Sequence, residues 1–162
     1  MQIEKYKTES TVDSLIYTFE SVGERVIQKV VEYTKLNPIY VGLPIDTDVY
    51  NLAFGDWNND IGDYEDNVES KNGDMEKVLA TVANTALKFW EEYPEISIFF
   101  QGSLISGELP HRTRLYQMKI NLYFHKVSEQ VNIRGYGEQG WEDFKNNKNY
   151  MAFLISQKKQ LF

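Results

Sequence analysis

One segment constrains every other element of this chain. Residues 74–93, DMEKVLATVANTALKFWEEY, place Met75, Val78, Leu79, Val82, Ala86, Phe89, Trp90 and Tyr93 at steps of three and four. That spacing gives an amphipathic helix with one apolar stripe, which has to be covered by another layer. Ala80 and Ala83 permit close approach. Asn72 or Asp74 is placed to cap the first free N–H groups, early acids suit the positive end of the helix, and Pro94 stops it. The covering layer must be found among segments that alternate with a period of two.

Such segments surround the helix. In residues 15–36, LIYTFESVGERVIQKVVEYTKL, Tyr17, Phe19 and Ser21 alternate with Ile16, Thr18 and Glu20, and a second alternating run follows VGER. This predicts a hairpin of two strands. NPIYVGLP (37–44), bounded by prolines, reads as an edge strand or a crossing. DVYNLAFGD (48–56) is a third strand, EISIFFQGS (95–103) a fourth that ends at Gly102, and LISGELP (104–110) a loop. Residues 112–130 fit a helix through Leu115, Met118 and Leu122, although Met118, Ile120, Leu122 and Phe124 also alternate; the abundance of helix formers favours helix. VNIRGYG (131–137) is a strand or turn, GWEDFKNNKN (140–149) a helical turn and loop, and YMAFLISQKK (150–159) a last strand that, like NPIYV, is an edge exposing pairing groups. The expected fold is one α+β domain over 1–162: a mostly antiparallel sheet with two main helices packed on one face.

Composition excludes several classes. Cysteine is absent from the 162 residues, which removes disulfides and thiolate chemistry. No apolar run reaches the length of a membrane span, and MQIEKYKTEST lacks a signal-peptide core, so a cytoplasmic setting is the expectation. The net charge is −7. Ten acids against the single Lys71 lie between Asp46 and Glu76. That balance disfavours nucleic acid as a partner. The remaining nucleic-acid reading would stack bases on Tyr17, Phe19, Tyr33, Tyr50 and Phe54, with Lys29, Lys158 and Lys159 along a backbone. A sheet core accounts for the same rings.

The blocks YNLAFGD (Tyr50–Asp56), NGDMEKVLAT (Asn72–Thr81), Gly102–Ser103 and RTRLY (Arg112–Tyr116) resemble a family of small bacterial proteins of unknown function common in the Bacteroidetes. The resemblance spans most of the chain and implies no settled activity. The family's gap between the Gly-Ser and the Arg-Thr-Arg-Leu-Tyr is shorter than here, where LISGELPH fills it. A site built from both flanks would then be looser or shaped for another ligand.

Candidate chemistry concentrates at two places. The acidic loop offers Asp56, Asn58 and Asp60 in calcium-loop order. Ile61 stands at the required glycine, however, and Asn67 at the required bidentate glutamate, so the EF-hand pattern fails. The second place combines Gly102 and Ser103 at a strand end with His111, Arg112 and Arg114 before a helix, and Asp56 or Asp74 at the rim. Backbone approach at a glycine, forked guanidiniums and free helix N–H groups suit a small phosphate or nucleotide. The alternative is that these arginines merely pair with Asp74, Glu76 or the acidic loop. A nucleotidyltransferase would need paired aspartates after the Gly-Ser, and residues 104–142 supply only Glu108, Glu129, Glu138 and Glu142. Two histidines, His111 and His125, give no zinc pattern, and Ser103 lacks the surroundings of a nucleophile elbow. No metal and no cofactor are indicated. The expected role is binding rather than catalysis, with a partner protein or a second copy of the chain as the partner and a small anion as the alternative.

Overall fold

The computed structural model describes residues 4–65, 72–101, 114, 117–121, 126 and 128–158. The chain is α+β. Its strands are β1 (Glu9–Ser10), β2 (Ile16–Val22), β3 (Val26–Leu36), β4 (Val49–Asn58), β5 (Asp63–Glu65), β6 (Ser97–Phe100), β7 (Val131–Gly137), β8 (Gly140–Asp143) and β9 (Ala152–Gln157), with α1 at Met75–Glu92. Residues 114, 117–121 and 126 are also helical. Two compact units are present, Met1–Thr34 with Leu52–Pro94, and Lys35–Asn51 with Glu95–Phe162. The chain passes from one to the other within β3 and within β4.

In the first unit the strand order is β1-β2-β3-β4, and β5 pairs with β4. The β2–β3 hairpin runs from Ile16↔Glu32 to Val22↔Val26, as the alternation predicts. Tyr17, Phe19, Val31 and Tyr33 share its inner face and are buried. The predicted stripe of α1 covers them: Val78, Val82, Phe89 and Trp90 are buried. Tyr33 stacks on Phe89 with centroids 4.4 Å apart, and its hydroxyl bonds Thr85 Oγ1 at 2.8 Å. The acidic segment does not begin as a loop but as a turn into β5. Gly62 N–H donates to Asn58 C=O (3.0 Å) and Asp60 N–H to Asn58 Oδ1 (2.9 Å), so residues 58–62 turn the chain back into β5.

In the second unit the order from the start of β4 is β6-β9-β7-β8. Phe99↔Leu154 and Phe100↔Phe153 pair across β6 and β9. Alternation sends Phe99 and Leu154 into a cluster with Leu43, Val49 and Ala152. Phe100 and Phe153 face the other way, stacked at 5.2 Å, with Phe144 and Tyr150 against Phe153. The helical residue Gln117 is tied to that side: Tyr150 N–H donates to Gln117 Oε1 (3.1 Å), and Gln117 Nε2 donates to Lys148 C=O (3.1 Å).

Four expectations need correction. The last strand is not an edge, because β9 lies between β6 and β7. Residues 140–143 form a strand, not a helical turn, because Gly137 and Gly140 close a β7–β8 hairpin that seats Trp141 beside Tyr136 and Phe99. NPIYVGLP is neither edge strand nor crossing; Pro38–Val41 is a 3-10 helix. Asn72 and Asp74 do not cap α1 with their side chains. Asp74 holds the N-cap position without a side-chain cap bond, and Asn72 Oδ1 accepts from Arg25 N–H at 2.8 Å while its Nδ2 donates to Arg25 C=O at 2.8 Å.

Candidate functional site

The sequence nominated Gly102, Ser103, His111, Arg112, Arg114 and Asp74. Gly102, Ser103, His111 and Arg112 lie outside the described residues, as do His125 and Lys159. Arg114 is helical and exposed. Asp74 belongs to the first unit, where its carboxylate accepts from Tyr6 Oη (2.5 Å) and Ser21 Oγ (2.5 Å). Asn72 Nδ2 adds a bond to Ser21 Oγ at 3.0 Å. Burial acts to raise the Asp74 pKa, but the two hydroxyls, with the charge of Lys29, outweigh it and hold the carboxyl below its ordinary value. The Tyr6 phenol is displaced upward, first by burial and then by Asp74. Asp56 pairs with the buried Lys29. These groups knot α1 to the hairpin, a structural use of charge. Among the described residues no three His, Asp or Glu side chains gather as a metal would require. Of the aromatic face considered for base stacking, Tyr17, Phe19, Tyr33 and Phe54 are core, together with the buried Lys29, and Tyr50 is half-buried.

A different feature stands out for binding, and the sequence reasoning had not assembled it. Between β3 and β4 the chain projects Ile39, Tyr40 and Ile45, which are 59%, 83% and 74% exposed. Singly exposed apolar side chains are ordinary, and Val12, Val26, Ile61 and Met118 are examples here; what marks this loop is that three lie within seven positions. The backbone that carries them is tightly tied. Asn37 Oδ1 accepts from Ile39 N–H (3.2 Å), and Pro38 occupies the first helical turn, where its missing N–H costs nothing. Gly42 closes the turn at φ 75°, which suits glycine, and donates to Ile39 C=O at 3.1 Å. Leu43 N–H returns to Pro38 C=O at 3.0 Å, and Thr47 N–H to Pro44 C=O at 3.1 Å. Leu43 plugs the cluster of Val49, Phe99, Ala152 and Leu154. Trp141 Nε1 donates to Val41 C=O at 2.6 Å, fixing the loop from outside its own sequence.

The local sequence carries the signal for this turn: Asn then Pro at the start, Gly at the end. What the sequence cannot convey is that Val41 and Leu43 turn inward while Ile39, Tyr40 and Ile45 turn out.

A family model described as a family of unknown function, DUF6934, matches residues 2–158. The chain belongs to that family. No curated protein and no solved structure matches it. Membership agrees with the resemblance carried by the Tyr50–Asp56, Asn72–Thr81, Gly102–Ser103 and Arg112–Tyr116 blocks and assigns no activity to this DUF6934 chain. No helix among its described residues is long and apolar enough to cross a membrane.

Proposed function

We propose that this chain is a non-catalytic protein-binding module and that the 37–47 loop is its contact surface. The observation that supports this reading is the combination of exposure and restraint: Ile39, Tyr40 and Ile45 stand out from a backbone held at both ends and by Trp141. A tyrosine on a restrained backbone gives large contact area with few side-chain torsions left to order, as interface anchors do. Asp46 and Asp48 follow Ile45 directly. The partner surface is therefore an apolar pocket with a basic rim. The bacterial setting that the family resemblance implies and the cytoplasmic setting expected from composition are part of this proposal.

The test places a photo-crosslinking residue at position 40 in cells and, as control, at the exposed Glu20 on the other unit. The expected result is one dominant adduct from position 40 only. The adduct protein, purified, binds with affinity weakened about thirtyfold by Tyr40→Ala, the scale of a hot-spot residue. Equal adducts from both positions, or unchanged affinity for the variant, would defeat the reading. The competing proposal, a small phosphate or nucleotide held near Arg114, gains support from calorimetric heat with nucleotides that Arg114→Ala abolishes. Under the protein-binding reading there is none.

A further inference from the structure

The N-terminal segment 4–11 crosses the edge of β2 and the side of α1 like a strap. Tyr6 N–H donates to Thr81 Oγ1 (2.8 Å), Lys5 Nζ to Asn84 Oδ1 (3.0 Å), and Lys88 Nζ to Thr8 Oγ1 (2.6 Å). The Tyr6 ring stacks on Phe19 at 5.7 Å, with Lys77 Nζ 4.2 Å from its centroid on α1. Its hydroxyl takes Val22 N–H at 3.0 Å and donates to Asp74. Only Glu9 and Ser10 form a strand, opposite Thr18 and Tyr17. Yet none of residues 4–14 is buried. The strap is held by polar bonds and one half-covered ring, whereas β3 and α1 hold each other through Tyr33, Phe89 and Thr85. Segments without buried residues detach locally at far lower cost than the domain unfolds.

The link between strap and β2 is a tight turn at residues 11–15. Ser14 sits there at φ 60°, a left-handed conformation taken without a glycine. Thr11 N–H to Ile16 C=O (3.0 Å) and Ser14 N–H to Thr11 C=O (3.0 Å) hold the turn closed. An extended connection would release the Ser14 strain and free the strap to reach elsewhere. Every bond the strap makes can be remade in trans on an identical chain, so exchange loses only the turn and the freedom of the second molecule.

We propose that two copies of this chain exchange residues 4–11, each strap lying on β2 and α1 of the other copy. The occupant of the β2 edge is then a second copy of Tyr6 and its neighbours, and the exchange hinge is Ser14. This pairing surface is separate from the 37–47 loop.

The native chain has no cysteine, so paired thiols report the exchange directly. A chain carrying Lys5→Cys and a chain carrying Asn84→Cys are refolded together and treated with a short bismaleimide. Exchange makes the linked heterodimer exceed either homodimer about tenfold, because the strap delivers one thiol to the other at high effective concentration. The double variant Lys5→Cys/Asn84→Cys in one chain, diluted, verifies that the two positions can be bridged. Heterodimer no more abundant than the homodimers, with the double variant linking within its own chain, overturns the proposal. Hinge variants give an independent reading. Ser14→Gly relaxes the closed turn and lowers the dimer share in light scattering, while Ser14→Val, which resists positive φ, raises it. A dimer share that does not move between these two variants also overturns it.

Discussion

Replacing Ser21 by alanine is the sharpest probe of the polar knot beneath α1. Ser21 is fully buried, and its Oγ donates to Asp74 and accepts from Asn72. Asn72 keeps its two bonds to the Arg25 backbone, so the variant strands no amide. What is lost is one short bond to a carboxylate that is only partly covered. Hydrogen bonds to charged groups contribute about 1.5–3 kcal/mol, and Ser21→Ala is expected to cost that amount near neutral pH. The loss must depend on pH in a definite direction. Hydroxyl donors hold the Asp74 pKa below its ordinary 3.8, so the folded state binds this proton less readily than the unfolded chain. Such a group contributes stability in full above the unfolded value, and the contribution fades as pH falls through the lower folded value. Urea denaturation of both proteins, from about pH 7 down to about pH 3, gives the difference at each pH, in which the other carboxylates largely cancel. The gap between wild type and variant narrows toward the acid end. A gap below about 0.5 kcal/mol at neutral pH, or one that widens on acidification, would refute the argument that Ser21 acts through ionised Asp74.

Three further substitutions test other parts of the structure. A Cβ on Gly135 would meet the Tyr150 ring at 2.3 Å, so Gly135→Ala should cost about 1–3 kcal/mol or more by overpacking, visible as a lower thermal midpoint. The Tyr17 hydroxyl is buried with no well-formed hydrogen bond among the described residues, the Ser14 side chain being the polar group that acts on it, and burial pushes its pKa up. Tyr17→Phe should therefore be neutral or stabilising by up to about 1 kcal/mol in denaturant melts, and a loss above that would show a partner exists. Gly42→Ala puts a side chain at φ 75° with ordinary room around it, so it should destabilise by about 1 kcal/mol and weaken the crosslinked partner's binding by loosening the loop while Tyr40 is unchanged.

Much of the fold was legible because period told the story. Residues 15–36 alternate and are β-branched, and 74–93 step by three and four, so the hairpin and the helix follow from burial alone. The errors fall where local preference and tertiary context disagree. Of Trp141, Glu142 and Asp143 only the tryptophan favours a strand; they become β8 because two glycines reverse the chain onto β7. The first acids of the 56–76 segment form a hairpin because the Asn58 side chain turns the backbone, an effect that charge counting does not see. Asp74 looks like a helix cap from its position, but the hydroxyls of Tyr6 and Ser21 both bond its Oδ2.

The site was less legible for a related reason. Charge and glycine drew attention to Gly102, Ser103, His111, Arg112 and Arg114, since those residue types carry chemistry wherever they fall. Ile39, Tyr40 and Ile45 carry none by type; their meaning lies in direction. In NPIYVGLP, Ile39, Val41 and Leu43 alternate as in a strand, a pattern that would put Ile39 on the same side as Val41 and Leu43, so the sequence period sorts inward from outward wrongly. The 3-10 turn does the sorting: it sends Val41 and Leu43 toward Phe99 and Trp141 and leaves Tyr40 in water. The same three residues would be ordinary core in a strand. Exposing them costs solubility, and the capped turn, the left-handed Gly42 and the Trp141 bond hold them in that exposed arrangement. A loop whose only task was to join β3 to β4 would need none of these restraints, and that is the physical ground for treating it as a surface made to be covered.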